Sequence, residues 1–209
     1  MTATDVNRAI RDGRLVAILR AKRPDRLRVA AQILVEQGVR TLELPLTSPE
    51  VLDAVAETVQ ALNGTAYVGA GTVRTVDDAR RAVDAGAVFL VAPSLDQDVV
   101  RYAAKHDVGV LPGTMTPTEI DLAMRAGARL VKLFPATMYT PEFVRQLRVP
   151  MPEAAVVPTG GVDLVSAAKW IGAGAVALGI GSPLTGDSLE TEDWDGLADR
   201  AKAWLDAVS

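Results

Sequence analysis

The sequence predicts an α/β fold: a compact (β/α)8 barrel, the TIM barrel, preceded by an N-terminal helix. Three observations lead there. Short apolar runs alternate with amphipathic helical patterns from one end of the chain to the other. The runs are apolar almost without interruption, as parallel strands are when helices cover both sheet faces. Eight of them fall within 209 residues, about 25 residues per strand–helix unit, near the lower size limit of such barrels. An open doubly wound sheet would use fewer strands and carry a dinucleotide fingerprint after the first one, and no G-x-G-x-x-G follows strand 1. No linker or low-complexity stretch divides the chain, so residues 1–209 are expected to form one barrel domain.

The elements follow in order. MTATDVNRAIRDG (1–13) is polar and helix-like. Strands are expected at LVAILR (15–20), TLELPL (41–46), YVGAGTV (67–73) and VFLVAP (88–93). The second four are VGVLPG (108–113), RLVKLFP (129–135), AVVPTGG (155–161) and VALGIGS (176–182). Between them, RLRVAAQILVEQG (26–38), SPEVLDAVAETVQALNG (48–64) and VDDARRAVDAG (76–86) place apolar residues at helical spacing. A degenerate repeat supports the alternation: Gly-Ala precedes a strand in DAGAVFLV, RAGARLVKL and GAGAVALGI, the glycine ending the preceding helix. Pro45, Pro93, Pro112, Pro135 and Pro158 fall at or near the C-terminal ends of strands, where they stop ladder pairing. Those ends form the face on which barrel enzymes build their sites. The segment GDSLETEDWDG (186–196) reads as a polar loop, and LADRAKAWLDAV as the last helix.

Composition narrows the chemistry. With 49% hydrophobic and 23% charged residues and a net charge of −4, the chain offers no polyanion-binding surface, so no nucleic-acid partner is expected. No apolar run approaches the roughly 20 residues of a membrane span, and the N-terminus has no apolar signal core. Cysteine is absent, which removes disulfides, iron–sulfur ligation and thiol catalysis and points to a cytoplasmic protein. The single histidine, His106, cannot supply the two or three imidazoles of a catalytic zinc or iron site. Its place in Lys-His-Asp at a helix end suggests a solvated cap. Polar chemistry falls to Lys, Arg, Asp, Glu, Tyr, Ser or Thr, or to a hard cation, although no metal site and no cofactor are expected.

Strand parity then singles out two residues. Side chains alternate across a strand, so in RLVKLFP Lys132 shares a face with Leu130 and Phe134, while Val131 and Leu133 share the other. The uniformly apolar face meets helices, which turns Lys132 into the barrel. On strand 2 the same parity sets Leu42 and Leu44 against helices and turns Thr41 and Glu43 inward. Burial favours the neutral form of an amine, and a free amine among apolar walls is a nucleophile toward carbonyls. Glu43 would attract an ammonium but also carry protons. The competing reading, a buried Lys–Glu pair that merely fills the core, gains little net stability over apolar filling. Arg20 and Thr72 land at the rim. Lys22, Lys105, Lys169 and Lys202 lie in polar or helical contexts and read as solvated. Met138, Tyr139 and Phe143 read as core or interface packing. After strands 7 and 8, PTGGV (158–162) and GIGSPL (179–184) are glycine-rich loops at the positions where barrels bind phosphate, with Ser182 offering a hydroxyl.

With these residues in place, the sequence resembles the class I 2-keto-3-deoxy-6-phosphogluconate and 6-phosphogalactonate aldolases, which include 4-hydroxy-2-oxoglutarate aldolases. The likeness runs through AILR (17–20), LELPLTSP (42–49), GAGTV (69–73), VKLFPA (131–136), PTGGV (158–162) and the GxGS of 179–182. It implies an aldehyde-lyase that yields pyruvate and glyceraldehyde 3-phosphate, or pyruvate and glyoxylate. In that reading Lys132 forms a Schiff base and Glu43 is the general acid/base. Arg20, Thr72 and Pro93 hold the pyruvate moiety, and Gly160, Gly161, Gly181 and Ser182 hold the phosphate of a phosphorylated keto acid. A homotrimer is implied as well. One position departs from the gluconate branch, where an arginine stands four residues after the glutamate: here it is Thr47. LELPLTSP is closer to the galactonate branch, which uses the arginine matching Arg20, whereas PTGGV is closer to the gluconate branch. Outside the resemblance, two readings remain: a phosphate-binding barrel isomerase or epimerase with Glu43 as base, and a catalytically idle oligomeric scaffold.

Overall fold

The computed structural model describes residues 1–48 and 50–209; Pro49, which ends the LELPLTSP segment, lies outside the described residues. Helix α1 (Ala3–Gly13) leads into β1 (Leu15–Ile18), α2 (Leu27–Glu36), β2 (Thr41–Pro45), α3 (Val51–Leu62) and β3 (Tyr67–Gly71). Then come α4 (Val76–Asp84), β4 (Phe89–Val91), α5 (Gln97–Lys105), β5 (Gly109–Leu111), β6 (Gly113–Thr114) and α6 (Pro117–Ala126). The chain continues through β7 (Val131–Leu133), α7 (Pro141–Leu147), β8 (Val156–Pro158), α8 (Leu164–Gly172) and β9 (Leu178–Ile180). It finishes with two single-turn helices, α9 (Ser182–Thr185) and α10 (Ser188–Thr191), and the long α11 (Trp194–Val208). No described helix is long and apolar enough to cross a membrane.

The strands pair in parallel in the order β5-β4-β3-β2-β1-β9 and β6-β7-β8. The two runs join through Pro112, which links β5 to β6, and through the bridge Thr159↔Gly179 beside β8 and β9, so the sheet curls into a barrel. The expected fifth strand, 108–113, is not continuous. Pro112 has no N–H to give to the ladder, and β6 resumes on the far side of it. Gly113 makes that sidestep possible, because a Cβ there would overlap the Pro93 carbonyl and the Ser94 amide.

Parity holds as expected. Leu42, Leu44, Val131 and Leu133 pack with the helices in the outer core. Val16, Phe89, Val91, Leu111, Leu130 and Val157 point inward and pack with Val6 and Ile10 of α1. Helix α1 therefore plugs the N-terminal end of the barrel. Thr2 and Asp5 form a capping box at its start, and the Ala3 N–H donates to the Asp107 carbonyl at 3.0 Å, tying the helix to the turn before β5. Thr41, inward-facing and buried, donates its hydroxyl to the Leu15 carbonyl.

The segment 186–196, expected as a polar loop, instead contains α10 and the first residues of α11. Ser188 is fully buried there and donates to the Asp193 carbonyl, while Asp193 caps α11 by accepting from the Gly196 N–H at 3.0 Å. His106 closes α5 as expected, exposed, with Nδ1 2.8 Å from the Tyr102 carbonyl and its ring stacked on Tyr102. The four remaining lysines are exposed.

Because Ile10 is completely buried in the plug, truncating it leaves a cavity inside the barrel. Ile10→Ala is expected to lower unfolding free energy in urea by about 2–5 kcal/mol. A loss below about 0.5 kcal/mol would mean that α1 does not seal the barrel.

Candidate active site

Lys132 and Glu43 are placed by their strands. The Lys132 N–H donates to the Pro112 carbonyl at 2.9 Å, and its own carbonyl accepts from Thr114 Oγ1 at 3.0 Å, so β7 is pinned at this residue. Across the barrel, the Glu43 carbonyl accepts from the Leu19 N–H at 2.8 Å. The two side chains are only 8% and 3% exposed. Phe134, two residues along the same face, carries its ring under the amine, with Lys132 Nζ 4.7 Å from the centroid.

No direct ion pair joins Lys132 to Glu43; the ion pairs among the described residues lie on the surface or partly buried near α2. The core-filling pair is therefore not what the fold builds. Both groups face one cavity of about 500 Å³ at the C-terminal end of the barrel. Burial pushes the Glu43 carboxyl above its ordinary range, and the nearby charges of Lys132 and then Arg20 oppose that shift without cancelling it. A carboxyl held toward its protonated form can give a proton to a leaving oxygen and take one back. Its space comes from β3: a Cβ on Gly71 would overlap the Glu43 carboxylate.

The same cavity collects every residue expected at the site. Arg20, Thr72 and Pro93 line it after β1, β3 and β4, and Gly160, Gly161, Gly181 and Ser182 line it after β8 and β9. Thr72 holds φ at +60°, a left-handed conformation that is costly for a β-branched residue and that clusters at functional sites. Gly160 and Gly161 also have positive φ, at 80° and 89°. A side chain on Gly161 would run into Thr137. Among the described residues no loop or turn hydrogen bond is donated by the amides of Gly161, Gly181 or Ser182, three residues that line the cavity. Thr47 lies outside this cavity, in a neighbouring cleft that it shares with Arg20.

The sequence reading missed Ile18, Phe134 and Thr159 as lining residues, although strand parity places all three inward. It also missed Glu190, for which no pattern gave a signal. Tyr139 and Phe143 pack against the core with ring centroids 4.4 Å apart, Met138 is exposed, and none of the three lines the cavity.

Burial of Glu43 has a consequence for stability. Its folded-state pKa lies above the unfolded value, so as pH rises the unfolded chain releases this proton first and stability falls. That loss ends once pH passes the folded pKa. Relative to the wild type, Glu43→Gln should gain stability progressively from the ordinary carboxylate range toward neutral pH, measured as urea midpoints. A pH-independent gap between the two proteins would contradict the burial effect.

Comparison with known proteins bears on this arrangement. The family model named Aldolase: KDPG and KHG aldolase matches residues 6–199. The chain is 33% identical over 197 residues to the 2-dehydro-3-deoxy-6-phosphogalactonate aldolase of Escherichia coli (strain K12), covering 93% of this chain and 96% of that one. It is 31% identical over 159 residues to the 2-dehydro-3-deoxy-phosphogluconate aldolase of Treponema pallidum (strain Nichols), covering 76% and 75%. The solved native KDPGal structure superposes with a TM-score of 0.85 at 32% identity, over 92% of this chain and 93% of that one.

Proposed function

The chain belongs to the KDPG and KHG aldolase family and is an aldehyde-lyase, and from that premise we propose that it cleaves a 2-keto-3-deoxy-6-phospho-sugar acid through a Schiff base on Lys132. 4-Hydroxy-2-oxoglutarate, cleaved to pyruvate and glyoxylate, is the shorter substrate of the same site. One observation carries this reading: a buried amine and a buried carboxyl, not paired with each other, share a cavity whose far wall includes Gly161, Gly181 and Ser182, whose amides donate no loop or turn hydrogen bond among the described residues.

The chemistry runs on groups already in place. Lys132 Nζ adds to the C2 carbonyl of the substrate, forming a carbinolamine. Glu43 donates a proton to the C2 oxygen, which leaves as water and gives the iminium. The carboxylate so formed takes the proton of the C4 hydroxyl as C3–C4 breaks. The electron pair of that bond moves into the C2–C3 double bond of an enamine, and glyceraldehyde 3-phosphate departs. Protonation at C3 restores the iminium, and addition of water at C2 releases pyruvate and the free amine. Arg20 and Thr72, with Pro93 beside them, hold the keto-acid carboxylate; that Arg20 lines the cavity and Thr47 does not supports the assignment to Arg20. Gly161, Gly181 and Ser182 take the phosphate through their amides and the Ser182 hydroxyl, with Gly160 beside them shaping the loop.

The same reading makes the protein a single barrel domain, cytoplasmic, and a homotrimer. Exposed apolar side chains beyond adjacent strands, Met115 after β6, Met138 after β7 and Leu164 and Val165 at the start of α8, support a subunit contact near the C-terminal face.

Borohydride reduction in the presence of pyruvate should leave a covalent adduct on the peptide bearing Lys132, detected by mass spectrometry. Lys132→Ala should give no adduct and no cleavage; a labelled protein with this variant would reject the Schiff base at Lys132. Glu43→Gln should retain the fold but lower kcat by about 10²–10⁴-fold. Turnover of the two C4-epimeric phosphosugar acids, compared side by side, assigns the sugar.

A further inference from the structure

The last strand–helix connection, residues 181–192, forms one wall of the cavity through Ser182, Pro183, Thr185, Gly186, Leu189 and Glu190. Its first helix, α9, has only four residues, too few to hold itself together in water. Its last carbonyls have no following turn to bond to. What meets them is a guanidinium from outside the cavity. Arg200, on α11, donates Nε–H to the Leu184 carbonyl at 2.9 Å and Nη2–H to the Thr185 carbonyl at 3.0 Å. The same Nη2 donates to Ser188 Oγ, whose hydroxyl donates to the Asp193 carbonyl at 2.6 Å. Gly186, at φ 55°, lets the guanidinium in, since a Cβ there would stand 3.0 Å from Arg200 Cζ. From the same helix, Trp204 Nε1–H donates to the Pro183 carbonyl at 3.3 Å.

We propose that Arg200 is a positioning residue for substrate recognition. It does not line the cavity; it holds segment 181–188 from behind, and so fixes where Gly181 and Ser182 present their donors to the distal end of the substrate. A cation at the carbonyl end of a helical turn suits the local dipole, and the planar fork of arginine spreads its donors over two carbonyls and a hydroxyl, a fixed geometry that the point charge of lysine does not reproduce. This inference rests on the phosphate-binding reading given above. It assigns Arg200 a part in binding the phosphorylated end and none in the chemistry at Lys132.

The test uses Arg200→Met and Arg200→Lys in the full chain, with two readouts. One is KM for the phosphorylated keto acid together with inhibition by inorganic phosphate. The other is exchange of pyruvate methyl protons into D2O, which needs Lys132 and Glu43 but no phosphate. Arg200→Met should raise KM and the phosphate inhibition constant about tenfold and leave proton exchange within about twofold. Arg200→Lys should recover part of the loss. If Arg200→Met is insoluble, Ser188→Ala, which removes one arm of the network, should show the same split at smaller size. Equal loss in both readouts, or none in either, overturns the inference. A wild-type protein that inorganic phosphate does not inhibit would instead sink the phosphate reading beneath it, a result seen without any Arg200 variant.

Discussion

Packing of Val6 and Ile10 against Val16, Phe89 and Leu130 seals the N-terminal end of the barrel, and the site at the other end depends on that seal. A barrel interior has to be filled. With α1 and the lower inward residues filling half of it by apolar contact, the upper half is free to hold a cavity and two ionisable groups. Without the plug, water would reach Glu43 and Lys132 from below. The desolvation that sets the character of the carboxyl would then be lost, because burial is the largest influence on it.

Charge in the upper half is arranged by strand order. Glu43 on β2 lies between the cationic Arg20, beyond the end of β1, and Lys132 on β7, across the barrel. Both favour the carboxylate, and burial outweighs them. The carboxyl is therefore held toward its protonated form and is not locked into a salt bridge with Lys132. The two groups stay apart, with Phe134 under the Lys132 side chain, and both face the cavity.

Much of this was legible in the sequence because a strand has a period of two. The apolar neighbours Val131 and Leu133, and Leu42 and Leu44, fixed which way Lys132 and Glu43 must face, and the alternation of strands with helices fixed the barrel around them. The glycines of PTGGV and GIGSPL marked the loops of the cavity wall. Two features were not legible. The break at Pro112 depends on how closely Gly113 approaches Pro93, a contact between strands that no local pattern records. The structure of 186–196 was hidden by its own polarity. Ser188, Glu190 and Asp193 read as solvated residues, yet the segment is held by Arg200 and by Arg26, which donates to the carbonyls of Leu189 and Glu190 and pairs with Glu192 at 2.7 Å. Those donors come from elsewhere in the chain, and local composition cannot report them.

Gly71 bears on any attempt to move the proposed chemistry to another scaffold. The room for the Glu43 carboxylate lies on the neighbouring strand, as a missing side chain. A designer who grafts the lysine and the glutamate alone onto a second barrel would carry over the two proposed reactive groups without the empty space beside them. The smallest portable unit is three residues on three strands, one of which contributes by having nothing there.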